Sequence, residues 1–134
     1  MNTFDERSEG TNLFTVAEIT KKLFSLFPLL GISANLRGFK YLCDAVCTVY
    51  YDPSVGDGVV KGLYCFIAQK NSTTPVCVEH SIRTALGRLD RPGNKAKYFE
   101  FVGEEVGYTA KKFINAVAGK LRAESIRENT KVEI

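Results

Sequence analysis

The chain has 134 residues, the length of one domain with a radius of gyration of about 14 Å. With 45% apolar and 25% charged residues it is not a disordered chain, and a domain of this size buries about two-thirds of its unfolded surface without staples. Eighteen Lys and Arg against fifteen Asp and Glu leave a net charge of +3, which permits a nucleic-acid partner without arguing for one.

Residues 1–14 read as a flexible N-terminal tail, polar through Asp5, Glu6, Arg7 and Glu9. Val16, Ile19, Leu23 and Leu26 then mark a first helical stripe, ended by Pro28 and Gly31. Phe39, Leu42, Cys43, Val46, Val49 and Tyr50 recur at helical spacing, and Asp52-Pro53-Ser54 stops that second helix. Val59, Leu63, Phe66 and Ile67 give a third helix, closed by the polar run from Gln69 to Thr74.

The fourth helix carries the clearest signals. Thr74 is suited to cap it, and Pro75 follows where a first-turn proline loses no hydrogen bond. Val78, Ile82, Ala85, Leu86 and Leu89 form its buried stripe, and Arg91-Pro92-Gly93-Asn94 ends it. Tyr98, Phe99, Phe101, Val102 and Val106, interrupted by Gly103 and Gly107, fit either a weak helix or a short strand over 98–102. Phe113, Ile114, Val117 and Leu121 mark a last helix, and residues 127–134 read as a C-terminal tail. The expected fold is all-α, five to six helices over residues 15–126.

Chemistry finds little purchase here. The four cysteines, Cys43, Cys47, Cys65 and Cys77, include no Cys-x-x-Cys, and His80 is the single histidine, so a zinc site is not expected. No nucleophile signature flanks His80, and Gly56 and Gly58 belong to no phosphate loop. Cys77 and His80 at i, i+3 are placed to meet and lower the thiol pKa, but they also fit two unrelated residues on a polar face. Cys43 and Cys47 fit packing, and Glu104 and Glu105 fit a solvated surface. The first residues have no signal-peptide character, and the apolar run Leu23–Ile32 is too short to span a bilayer. A cytoplasmic protein with reduced thiols, no cofactor, no metal and no enzymatic activity is expected.

One spacing is informative. A helix over about 59–70, a turn over Asn71–Thr73 and a helix over 74–89 have the lengths of a helix–turn–helix. The polar face of the fourth helix holds Val76, His80, Arg83, Thr84, Gly87 and Arg91. Arg83 is suited to a bidentate guanine contact, with His80 and Thr84 near neighbouring bases or phosphates. Thr73 and Thr74 are suited to a phosphate. The same residues also fit two packed helices with a solvated face.

Leu30-Gly31-Ile32-Ser33-Ala34-Asn35-Leu36-Arg37-Gly38-Phe39-Lys40-Tyr41-Leu42-Cys43-Asp44-Ala45 resembles the entry into the C-terminal effector domain of the sporulation stage-zero master response regulator family. Asp52-Pro53-Ser54-Val55, Thr73-Thr74-Pro75, Val78-Glu79, Ile82-Arg83, Gly107-Tyr108-Thr109 and Lys120-Leu121-Arg122 continue the resemblance, over about residues 15–124. It implies an all-helical transcription regulator that binds a promoter box through the helix–turn–helix. The implied partners are double-stranded DNA, the RNA polymerase sigma factor and a second copy on tandem sites, with no membrane partner.

On that resemblance Glu79 and Arg83 take base-edge roles, His80 and Thr84 secondary ones, and Thr73, Thr74, Lys111 and Lys112 phosphate contacts. Cys77 and His80 stand where the family has arginines, and Thr84 where it has histidine, which implies an altered site preference. The family's effector domain follows a phosphorylatable receiver; the present sequence covers the effector part. From Arg91 to Arg122 seven basic residues face three acidic ones, marking the C-terminal third as the phosphate-facing surface. The rival is a protein-interaction module of the same fold, binding sigma factor or another regulator without reading DNA.

Overall fold

A computed structural model describes residues 13–58 and 60–133, with side chains as far as Glu128. The described residues form α1 (Val16–Leu29), α2 (Arg37–Tyr51), α3 (Ser54–Asp57), α4 (Val60–Lys70), α5 (Pro75–Leu86), α6 (Pro92–Val102) and α7 (Ala110–Glu133). A 3-10 turn, Gly87–Asp90, joins α5 to α6, and there is no strand among the described residues. The all-α expectation holds. Six helices have eleven residues or more, and α3 is a single turn.

Thr15 opens α1 with reciprocal capping bonds: its hydroxyl accepts from Glu18 N–H at 3.1 Å, while the Glu18 carboxylate accepts from Thr15 N–H at 2.7 Å. Pro28 sits in the last turn and α1 ends one residue later. The chain then reverses through Gly31, at φ 87°.

Helix α2 is the centre of the fold. Ten of its fifteen residues are buried, and α1, α4, α5 and α7 all pack on it. Phe39 meets the Phe27 ring at 5.4 Å, Phe27 meets Phe113 at 5.9 Å, and Phe113 stacks on Tyr98 at 5.3 Å. This aromatic chain joins α1, α2, α6 and α7 in one core, with ring geometries that add to area burial. Arg122 of α7 donates to the Tyr50 carbonyl near the end of α2, a favourable place for a cation.

The structure adjusts several boundaries. The fourth helix ends at Leu86 rather than Leu89, because the chain tightens into the 3-10 turn; Leu89 stays fully buried. Pro92 both stops what precedes and starts α6, where a proline at the first position costs nothing. The ambiguous aromatic stretch is therefore helical, with Tyr98 alone fully buried and its OH donating to the Gly107 carbonyl at 3.1 Å. Of the expected N-terminal tail, residues 1–12 lie outside the described residues, but Phe14 joins the core: its N–H donates to the Tyr50 hydroxyl at 2.8 Å. Val59 lies outside them too. At the other end α7 continues to Glu133, through positions expected as tail.

Candidate nucleic-acid interface

Helix α5 is amphipathic in the expected way. Val78, Ile82, Ala85 and Leu86 are buried against α2 and α4, whereas Val76, His80, Arg83 and Thr84 are exposed. Val76 is 76% exposed, an apolar side chain presented to the outside. The Thr74 hydroxyl accepts from Cys77 N–H at 3.1 Å, and Pro75 occupies the first position. One orphan donor is thereby satisfied, and the helix begins at a defined residue.

A buried carboxylate fixes the turn that delivers α5. Asp44 of α2 accepts from Asn71 Nδ2 at 2.9 Å and from the Lys40 and Lys70 ammonium groups at 3.3 Å. Asn71 Nδ2 also donates to the Ile67 carbonyl at 2.8 Å. The chain then passes through Ser72, at φ 55°, and Thr73 N–H returns to the Ala68 carbonyl at 2.9 Å. The network ties α2, the end of α4 and the turn together, so α5 leaves in a set direction.

The candidate residues fall on two sides of α5. Glu79 and Arg83 lie on one, joined at 2.8 Å, and line a cleft of about 360 Å³ with Tyr64, Leu86, Asp90, Tyr108 and Thr109. An exposed pair of this kind contributes about 0.3–0.5 kcal/mol, so its effect is to orient the guanidinium more than to stabilise the helix. Burial raises the Tyr64 phenol pKa, with Glu79 adding to it, and the hydrogen bond to Asp90, 2.6 Å long, raises that of Tyr108. His80 and Thr84 lie on the other side, in a groove with Leu36, Arg37, Gly38 and Ser81.

Thr73 and Thr74 stand together before α5, and Lys111 and Lys112 are exposed in the first turn of α7. Lys111 Nζ donates to the Asp57 carbonyl at 3.4 Å. Neither lysine lines the cleft, but their neighbour Ala110 does. Cys77 has an acidified thiol, through hydrogen bonding to Thr73 above all, with Ser81 and Arg37 adding. His80 is not among the groups that act on it. Burial instead raises the thiols of Cys43 and Cys47, that of Cys43 to about 12, as packed thiols should be.

Residues 23–121, about three-quarters of the chain, match the family described as Sporulation initiation factor Spo0A C terminal. The chain belongs to that family. It is a family of DNA-binding regulatory domains of sporulation regulators, not of enzymes. The Spo0A C-terminal match enters within α1 and leaves within α7, so α2 to α6 and both grooves beside α5 lie inside it. All eight candidate residues lie inside it too. Among the described residues no helix is long and apolar enough to cross a membrane.

Sequence spacing does not bring Arg37 to α5: it is remote in sequence and lines the second groove through the crossing of two helices. The available signal was Gly38, a residue that weakens a helix unless another backbone must come close.

Proposed function

We propose that α4, the turn and α5 act as a helix–turn–helix, with α5 in the major groove of a promoter duplex. Arg83 reads a guanine edge, Glu79 orients it and accepts from a neighbouring cytosine, and His80 and Thr84 make secondary contacts. Thr73, Thr74, Lys111 and Lys112 hold phosphates on either side. The functional unit is residues 15–126, working in the cytoplasm as a transcription regulator.

One observation carries this reading: Arg83 projects from the outward face of a helix whose opposite face is fully buried, with its side chain 69% exposed and one guanidinium nitrogen donating to Glu79 at 2.8 Å. A solvent-facing guanidinium on a well-packed helix is the group best matched to the guanine O6 and N7 acceptors.

Cys77 and His80 cannot supply an arginine's fork of donors, since a thiol donates weakly and neutral imidazole offers one donor and one acceptor. The preferred site therefore differs from that of relatives with arginines at these positions. Selection from a randomised duplex library tests the reading directly. A recovered motif bound with a log–log salt slope of about −3.6, for about four phosphates, is the expected result. Failure to retain any duplex at low salt would leave the protein-interaction module, directed at sigma factor or another regulator, as the better account.

A further inference from the structure

Gly38 sets how closely α2 and α5 cross. A Cβ placed there would stand 2.3 Å from the Ser81 carbonyl oxygen and 2.8 Å from Ala85 Cβ, both too close for any side chain. The crossing brings the first residue of α2 against the outward face of α5. A groove of about 260 Å³ opens at this place, lined by Leu36, Arg37, Gly38, His80, Ser81 and Thr84.

The lining is one arginine, one imidazole and two hydroxyls, with no carboxylate. Arg37 is exposed and makes no salt bridge among the described residues, and it lies close enough to Cys77 to act on the thiol. On the opposite flank of α5, by contrast, Arg83 is paired with Glu79 and Asp90 adds a second carboxylate. The two arginines thus bracket α5 in different electrostatic settings. A guanidinium with no carboxylate partner among the described residues, set beside hydroxyl donors, matches a phosphate, whose oxygens accept two parallel N–H bonds.

Resting on the assignment of α5 as the reading helix, we propose that Arg37 is a further DNA-contacting residue. It clamps a backbone phosphate together with His80, Ser81 and Thr84, and so sets how α5 sits in the groove. Arg37 stands on α2, off the reading helix, so it contributes position and affinity rather than sequence choice.

The test is fluorescence anisotropy on the selected duplex and on a random duplex, between 50 and 200 mM salt, with wild type, Arg37→Ala, Arg37→Lys and Arg83→Ala. Arg37→Ala should weaken both duplexes alike, by roughly five- to tenfold, and reduce the salt slope by about 1. Arg37→Lys should restore the slope but only part of the affinity, since a point charge replaces a fork. Circular dichroism should show the same helicity and unfolding midpoint for both variants. Unchanged affinity and slope in Arg37→Ala would overturn the clamp, and so would a loss confined to the selected duplex. Failure of the parent reading looks different: wild type itself would then bind neither duplex.

Discussion

Helices α1 and α4 end in the same hydrogen-bonded closure, built from different residues. After α1, Ile32 N–H returns to the Phe27 carbonyl at 2.9 Å and Gly31 N–H to that of Pro28 at 3.0 Å. After α4, Thr73 N–H returns to Ala68 at 2.9 Å and Ser72 N–H to Gln69 at 3.4 Å. The left-handed position is Gly31 in the first and Ser72 in the second, and Ser72 is the single non-glycine residue with positive φ among the described residues. A residue with a Cβ loses about 1–2 kcal/mol there, whereas glycine loses nothing. The end that delivers α5 therefore carries local strain, which the Asp44–Asn71 network outweighs. Strain of this kind persists only where the surroundings fix the geometry by other means.

Three substitutions bear on this comparison, in order of expected size. Gly31→Ala meets both the positive φ and the Asn94 side chain, whose amide nitrogen occupies the space the added methyl group would need. It should cost about 2–3 kcal/mol in urea unfolding, and a loss under 1 kcal/mol would mean that the two ends are not governed by the same backbone preference. Asp44→Ala removes the acceptor shared by Asn71, Lys40 and Lys70. It should cost about 1–3 kcal/mol and also weaken DNA binding, because the turn loses what aims α5. Stability falling with affinity for folded protein intact would separate the network from the placement of α5. Ser72→Gly relieves the strain and should raise stability by about 0.5–1 kcal/mol at unchanged affinity. A destabilised Ser72→Gly would show that serine does more here than tolerate its φ.

The same contrast explains what could be read in advance. Helices α2 and α5 were legible because a strong apolar period coincides with clear stops, Asp52-Pro53 after one and Thr74-Pro75 before the other. The outward face of α5 followed from that period, and with it Arg83, His80 and Thr84, whereas Glu79 entered only through the family resemblance. Helix α6 was not legible: Tyr98 alone is fully buried, and Phe99, Phe101 and Val102 are half-buried, so no stripe stands out. The 3-10 turn at Gly87 was hidden because Leu89 keeps the register of the stripe while the backbone leaves it. The role of Asp44 was invisible, since its partners Lys70 and Asn71 come from the end of α4 and the turn after it. Arg37 was missed for the same reason: tertiary packing, not spacing, brings it to α5.

The central claim is that α5 reads base edges through Arg83, and equilibrium titration of Arg83→Ala tests it most directly. Both the selected duplex and a random one of equal length are titrated at fixed salt. The variant should lose about 1–3 kcal/mol on the selected duplex while random-duplex affinity stays nearly constant. Equal losses on the two duplexes would contradict the claim, because Arg83 would then be one more phosphate contact and the specificity of α5 would have to come from elsewhere.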